Sequence, residues 1–223
     1  MTKTSSSRPG QTVWTFEDLE TVGDLLTTFE GMPKMVPTSE GEAIAFNGSD
    51  DGLYVPVHPL AGAEIFTIEA IFRPDGGAFE QRWLHLESII PSDVAPGQSE
   101  TRMLFEIRVV GDTWYLDAFM CGAGYSQALM DPDKIFPLGR WYHVAQTYDG
   151  KRYRSFVNGE LQSDAALVFK PQGPGRASIG VRLNQVCHFK GAVREIRFTR
   201  SALSTASFTL ATPEEAIAYQ TVR

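Results

Sequence analysis

One stretch of the chain, Trp141 to Gly159 (WYHVAQTYDGKRYRSFVNG), constrains the fold more than any other. It contains two β-prone runs that are separated by Asp149-Gly150, and the second run ends at Asn158-Gly159. Asp-Gly and Asn-Gly adopt the positive φ angles that tight type I′ turns require, so each dipeptide predicts a hairpin. Two successive hairpins form a three-stranded antiparallel meander. The stretch therefore predicts an all-β protein.

Several other runs alternate apolar and polar residues, and each of them predicts a further strand. The clearest run is FTIEAIFR at 66–73, in which Phe66, Ile68, Ala70 and Phe72 share one face. Three more runs follow at 82–88, 103–110 and 113–121. Short strands separated by turns are typical of a jelly-roll sandwich of two antiparallel sheets.

Two segments of the sequence are not predicted to form strands. Residues 122–133 contain Gly, Ser and Pro and are predicted to form a loop. Pro213 is followed by two acidic residues, which is typical of a helix N-terminus, so a short C-terminal helix is predicted over 213–219.

The composition fits a single domain over 12–223 that follows a disordered segment at 1–11. The chain has 223 residues, of which 43% are hydrophobic, and sandwiches of about 200–250 residues commonly form one domain. The net charge of −7 argues against nucleic-acid and anionic-membrane partners. The polar first residues resemble no signal peptide, so we expect a cytoplasmic protein, or a secreted one if the natural chain is longer.

The two cysteines, Cys121 and Cys187, lack the spacing of a metal site. Two free thiols are the favoured interpretation. One disulfide is the alternative if the protein is exported.

Five segments carry a family resemblance: GEAIAFNGSDDGLYVPV, FTIEAIFRP, WYHVAQTYDGKRYRSFVNGEL, ASIG and FKGAVREIRFTRSALS. In this order they resemble the laminin-G-like members of the concanavalin A-like lectin/glucanase superfamily. The resemblance implies two packed sheets and a concave outer face that often carries a carbohydrate site. It implies no single activity, because the family includes lectins, adhesion modules, glycoside hydrolases and polysaccharide lyases.

The resemblance also makes calcium a possible cofactor, since laminin-G-like domains often hold it at the rim. The loop Asn47–Asp51 (NGSDD) offers oxygen atoms suited to Ca²⁺ but lacks the further spacing of a defined calcium loop. An ordinary solvated turn is the interpretation that the residues themselves favour.

The candidate site comes from the residues that alternate with the apolar positions of the middle strands, since one face of each strand in a sandwich points outward. The predicted catalytic residues are His85, Glu106 and Tyr115. The predicted substrate-binding residues are Glu69, Trp83, Glu87, Arg108 and Asp117. We expect these side chains to share one groove if their strands are neighbours. The alternative is a set of ordinary solvated faces.

Three activities can use such a set. Paired carboxyl groups cleave glycosidic bonds, although the compact E-x-D-x-x-E strand of glucanases is absent after Glu106. His85 and Tyr115 can move protons in a β-elimination while Arg108 neutralises a uronate. The same groups can bind a sugar without reacting. We favour a carbohydrate-binding domain, with a stand-alone saccharide- or glycoside-active enzyme as the alternative and a protein-binding module as a third possibility.

Overall fold

The computed structural model describes residues 9–89, 95–210 and 213. These residues form eighteen β-strands and one short 3-10 helix, Thr205–Ser207. The strands are β1 (Gln11–Thr15), β2 (Thr21–Val22), β3 (Leu25–Leu26), β4 (Thr28–Glu30), β5 (Lys34–Thr38), β6 (Gly41–Asn47), β7 (Gly52–Val55), β8 (Phe66–Pro74), β9 (Glu80–Ser88), β10 (Arg102–Val110), β11 (Thr113–Gly122), β12 (Tyr125–Met130), β13 (Phe136–Pro137), β14 (Tyr142–Tyr148), β15 (Arg152–Val157), β16 (Glu160–Ala166), β17 (Gly175–Ile179) and β18 (Lys190–Thr199).

The strands form two large antiparallel sheets. Sheet I has the order β16-β15-β14-β8-β18-β6-β5, with β1 also paired to β18. Sheet II has the order β12-β11-β10-β9-β17-β7-β4, with β13 also paired to β11. Strands β2 and β3 form a separate two-stranded ribbon. The predicted all-β sandwich of two antiparallel sheets is confirmed.

The alternating apolar residues form the core between the sheets, as their spacing predicts. The predicted inward residues of β10 and β11, Phe105, Ile107, Trp114 and Leu116, all belong to one buried cluster. Phe72 on β8 reaches across from sheet I, and its ring packs edge-on against Trp114 at 5.2 Å. Contacts of this kind join the two sheets into one core.

The meander predicted from residues 141–159 is present as strands β14, β15 and β16, which extend to Ala166, but one of its turns differs from the prediction. Asn158 and Gly159 both have positive φ, at 50° and 79°, as a type I′ turn requires. In the first turn the central residues are Gly150 and Lys151, because Asp149 bonds across to Arg152. Only Gly150 has positive φ there, at 92°, which is the pattern of type II′.

The left-handed backbone at Gly150 gives a testable consequence. We expect Gly150→Val to destabilise the fold by about 1–2 kcal/mol and lower the melting temperature, because a β-branched residue is strained at this φ. A Cβ atom there would meet only Ile65 at 3.8 Å, so the strain lies in the backbone alone. Lys151→Val, one residue further on, is the control and should melt close to wild type. Equal melting of both variants would contradict the turn assignment.

Other sequence predictions have mixed outcomes. The loop predicted at 122–133 is wrong, because β12 occupies its middle. The predicted helix over 213–219 and most of the predicted disordered segment at 1–11 lie outside the described residues, although Gln11 already belongs to β1. Cys121 and Cys187 are both free thiols. Among the described residues, no helix has the length and hydropathy that crossing a membrane would need.

Candidate functional site

The outer face of sheet II carries rows of polar residues that face each other across the strands. Glu106 on β10 lies directly opposite Asp117 on β11 and opposite Arg82 on β9. Two residues further along β10, Arg108 lies opposite Tyr115 on β11. Since β10 lies between β9 and β11, these side chains form one continuous patch.

A groove of about 300 Å³ lies over this patch. It is lined by Arg82, Arg102, Leu104, Glu106, Arg108, Asp117, Phe119, Ala128, Met130 and Arg182. The apolar members come from β10, β11 and the edge strand β12, whereas the charged members come from β9, β10, β11 and the loop after β17. The lining is therefore apolar towards the edge strand β12 and charged towards β9, with residues of both kinds on β10 and β11 between them.

The carboxyl groups at the base of the groove are held by two arginines. Nη2 of Arg108 lies 2.9 Å from Oε2 of Glu106 and 2.7 Å from Oδ2 of Asp117. Nε of Arg82 lies 3.1 Å from Oε1 of Glu106, an ion pair without the alignment of a hydrogen bond. Both arginines also contact Glu80 at the rim. Glu106 and Asp117 are each only 2% exposed, so this charge network is fixed in place.

Burial raises the pKa values of both carboxyl groups. Burial raises the pKa of Glu106 to about 7, which Arg82 and Arg108 oppose and the neighbouring Asp117 carboxylate reinforces. Burial also raises the pKa of Asp117, against the opposing charge of Arg108. A hydrogen bond with Glu106 lowers the pKa of Asp117 in part, so the two adjacent carboxyl groups titrate as a pair.

His85 lies on the same outer face but does not reach the groove. It faces Leu104 on β10, and the loop after β17 covers it. Its Nδ1 accepts a hydrogen bond of 3.1 Å from the backbone N–H of Leu183, while its Nε2 is buried without a partner in the described structure. Burial, followed by the charges of Arg182, Arg102 and Arg82, holds the pKa of His85 well below its usual value. The neutral ring therefore carries its proton on Nε2, and neither nitrogen is available as a base.

Glu87 and Tyr115 also lie on this face, outside the groove. The Glu87 carboxylate accepts hydrogen bonds from the backbone N–H groups of Gly97 (2.9 Å) and Ser99 (2.6 Å), and it pairs with Arg176 at 3.2 Å. It therefore anchors the loop after β9. Tyr115 is 8% exposed and is not among the residues that line the groove.

The side chain of Trp83 points to the opposite face of β9 from the one predicted. The pairing of β9 with β10 shifts from Leu84↔Phe105 to Arg82↔Glu106, which leaves Trp83 without a partner. This bulge turns Trp83 inward beside Leu84, and its ring packs at 5.7 Å from Phe105 in the core. The prediction of Trp83 as an outward ligand platform is wrong, and Arg82 takes the outward position instead.

Glu69 lies in a different sheet from the other predicted site residues. It does face outward on β8, but β8 lies between β14 and β18 in sheet I. Its Oε1 lies 3.1 Å from Nε2 of His143 and accepts hydrogen bonds from the backbone N–H groups of Thr209 (2.8 Å) and Leu210 (3.1 Å). Glu69 is therefore buried beneath the C-terminal segment, on the opposite side of the molecule from the groove.

The loop at 47–51 closes on itself. Oδ1 of Asn47 accepts hydrogen bonds from the backbone N–H groups of Ser49 and Asp50, at 2.8 and 3.2 Å. The Asp51 carboxylate accepts from the N–H groups of Met32 and Asn47. In the described part of the chain, no group of three or more His, Cys, Asp and Glu side chains could hold a metal ion. The side chains here fit a loop-closing role, and calcium remains an expectation from the family alone.

A second groove of about 380 Å³ lies on the other half of the same face. Tyr54 on β7 donates a hydrogen bond of 2.9 Å to Glu30, which also contacts Gln185. Burial and the Glu30 charge raise the pKa of Tyr54. The remaining residues that line this second groove are mostly apolar. Arg182, which lines the first groove, donates a hydrogen bond of 3.2 Å to the backbone oxygen of Gly97, the residue after Pro96 in the lining of the second groove.

The sequence predictions missed three arginines of the first groove. Arg82 shares the parity of Leu84, so simple alternation gives no reason to place it outward; the bulge does so, and the adjacent apolar pair Trp83-Leu84 is the interruption that marks the bulge. Arg102 lies one residue before the predicted start of its strand, an ordinary boundary error. Arg182 reaches the groove from a loop, and no local pattern indicates that placement.

The family model of the concanavalin A-like lectin/glucanases superfamily matches residues 47–207. The chain belongs to this superfamily. The match covers most of the sequence and includes most strands of both large sheets and every residue that lines the groove. It confirms the resemblance noted in the sequence. A search of curated proteins returned no match.

Several solved structures that superpose on this chain are domains in complex with saccharides. Domain 4 of AbnA, an extracellular arabinanase from Geobacillus stearothermophilus in complex with arabinotriose, aligns with a TM-score of 0.59 and 17% identity, over 88% of this chain and 95% of that one. The CBM40 of the Ruminococcus gnavus IT-sialidase, bound to α2,3-sialyllactose, aligns with a TM-score of 0.54 and 15% identity, over 81% and 96%. At these identities the likeness establishes the fold alone.

The binding domain of Botulinum neurotoxin DC in complex with SialylT aligns with a TM-score of 0.59 and 10% identity. The alignment covers 96% of this chain and 52% of that one. The shared sandwich thus occurs in modules of quite different proteins. Carbohydrate binding is the property that the descriptions of these neighbours have in common.

Proposed function

We propose that the protein is a carbohydrate-binding domain and that the groove over β9–β12 is its binding site. The observation that carries this proposal is the two-sided lining of the groove. Phe119, Leu104 and Met130 supply apolar surface for the C–H face of a sugar ring, while Arg108 and Asp117 supply fixed polar groups for its hydroxyls. The structural neighbours solved with arabinotriose and sialyllactose add support through their common fold.

A glycan array followed by calorimetry tests this proposal. We expect wild-type protein to bind at least one saccharide, and Phe119→Ala to weaken that binding about tenfold, since lost ring stacking costs on the order of 1 kcal/mol. Phe29→Ala is the matched control, because Phe29 is a 47%-exposed aromatic residue at the far edge of the same sheet. Absence of binding on the array would refute the proposal. Equal losses in the two variants would place the site elsewhere.

The alternative is catalysis, and one observation favours it: the raised pKa of Glu106 in a groove is typical of a catalytic acid. Two others weigh against it. The carboxyl groups of glycosidases lie about 5–9.5 Å apart, whereas Glu106 and Asp117 are hydrogen-bonded to each other. His85 has no nitrogen free to act as a base. The groove is therefore better suited to binding than to hydrolysis or elimination.

Incubation of the protein with the saccharide that it binds separates the two functions. We expect the saccharide to be recovered intact, with no new reducing ends and no unsaturated product by mass spectrometry. Cleavage that persists in wild type and disappears in Glu106→Gln would replace the binding proposal with the enzymatic one.

A further inference from the structure

The charges that line the groove are not balanced. Four arginines line it, against two carboxyl groups, in a protein whose net charge is −7. Arg82 and Arg108 are engaged with these carboxyl groups and with Glu80 at the rim. The groove is thus a locally positive site on an acidic protein.

Arg102 and Arg182 carry the excess charge. Nη1 of Arg102 donates to the backbone oxygen of Ser99 at 2.6 Å, and Nη2 of Arg182 donates to that of Gly97 at 3.2 Å. Within residues 9–89, 95–210 and 213, no carboxylate lies within 4 Å of either guanidinium group. The neutral carbonyl oxygens hold both groups in position without cancelling their charge.

The two guanidinium groups are also incompletely satisfied. The Nε atoms of Arg102 and Arg182 are buried and have no hydrogen-bond partner in the described structure. A buried unpaired donor is costly. Burial, followed by the charges of Arg102 and Arg82, lowers the pKa of Arg182, which is the effect of like charges held close together. An anion in the groove would relieve this repulsion.

We propose that the groove selects saccharides that carry a carboxylate, and that Arg102 and Arg182 bind the carboxylate while the sugar ring packs on the apolar side. The inference rests on the proposed function and adds the class of ligand. A guanidinium fork matches a carboxylate with two parallel hydrogen bonds, which makes arginine well suited to this recognition. Phe119 supports the arrangement, because the Arg102 guanidinium lies over its ring at 5.6 Å and is thereby oriented.

Matched ligands that differ in charge test the inference on the wild-type protein. The first pair is trigalacturonate and its full methyl ester. The second set is 3′-sialyllactose, lactose and 3′-sulfolactose, which distinguishes a carboxylate from a sulfate on the same core. By calorimetry we expect the carboxylate forms to bind at least tenfold more tightly than the neutral forms, with affinity that falls as salt increases. Equal affinity for charged and neutral members would overturn the inference and leave carbohydrate binding intact.

Two further outcomes are informative. Preference for 3′-sulfolactose over 3′-sialyllactose, together with equal binding of trigalacturonate and its ester, would overturn the assignment to carboxylates. Failure of every saccharide to bind, here and on the glycan array, would refute the proposed function itself and the inference with it.

Single substitutions test whether Arg102 and Arg182 cause the preference for carboxylate ligands. We expect Arg102→Gln and Arg182→Gln each to reduce the preference for the carboxylate form about tenfold, with little change for the neutral form. Arg152→Gln is the control, since its 42%-exposed side chain lies on sheet I, away from the groove. Thermal melting confirms that each variant is folded. If both groove variants keep the full preference, Arg102 and Arg182 do not bind the anion and the proposal fails.

Discussion

Glu69→Ala should destabilise the protein by about 3–5 kcal/mol, because each buried donor left without an acceptor costs about 1–3 kcal/mol. Glu69 is fully buried in sheet I and bonds to His143 and to the backbone of Thr209 and Leu210. The truncation leaves these donors without an acceptor and detaches the segment that follows the 3-10 helix. Urea unfolding measures the loss, and hydrogen exchange should show lost protection at the amides of Thr209 and Leu210.

Two controls make the result specific. Glu69→Gln keeps one acceptor oxygen and the side-chain shape, so it should cost less than the alanine variant. Glu64→Ala removes an exposed carboxylate just before the same strand and should be close to neutral. A loss below about 1 kcal/mol in Glu69→Ala would show that the C-terminal segment is not held through this carboxylate.

The contribution of Glu69 also depends on pH. Burial alone would raise the pKa of Glu69, but hydrogen bonds from His143, Thr209 and Leu210 outweigh that effect and hold it below its usual value of 4.5. The folded state therefore binds fewer protons than the unfolded state in this range. The stabilisation is fully present above pH 4.5 and is lost as the pH falls through the lowered value.

The face to which each side chain points could largely be predicted from the sequence, because alternation has a fixed period of two. Glu106, Arg108 and Asp117 lie outward, as predicted, and meet in one groove. Alternation does not specify the sheet to which a strand belongs. β8 and β9 are consecutive in the chain yet lie in different sheets, and this separates Glu69 from the groove.

The remaining differences come from local irregularities and from tertiary contacts. A single bulge in β9 reverses the faces to which Trp83 and Arg82 point. Alternation of apolar and polar residues cannot predict such an inserted residue, except where two adjacent apolar residues interrupt the pattern. His85 faces outward as predicted but is covered by Leu183, a residue nearly a hundred positions away in the chain. Loops that fold back over a sheet decide which outward residues remain accessible, and a local sequence pattern carries no information about them.

Glu106→Gln should stabilise the protein strongly at pH 8 and by less than about 1 kcal/mol at pH 5. The pKa of Glu106 is raised from 4.5 to about 7, chiefly by burial. Between these values the folded state holds a proton that the unfolded state has released, so the free energy of unfolding falls as the pH rises through this window. The stabilisation from the raised pKa is fully present below pH 4.5 and is lost once the pH has passed the folded-state value.

The size of the effect follows from the shift. At about 1.4 kcal/mol per pKa unit, ionising the pair at pH 8 costs the wild type up to about 3 kcal/mol relative to the protonated form. Glutamine reproduces the protonated form, because its amide can donate to Asp117 and its oxygen can still accept from Arg82 or Arg108. Urea unfolding of wild type and variant at pH 5 and pH 8 measures the difference directly and cancels the titration of other groups.

Glu80→Gln provides the matched control, because Glu80 contacts the same two arginines from the rim of the groove. Although partial burial opposes the shift, hydrogen bonding and charge from Arg82 hold its pKa below the usual value, so its removal should give no gain at pH 8. A gain at pH 8 that is confined to Glu106→Gln identifies Glu106 as the group with the raised pKa. Equal destabilisation of Glu106→Gln at both pH values would show instead that Glu106 is ionised throughout and that its ion pairs with the arginines dominate.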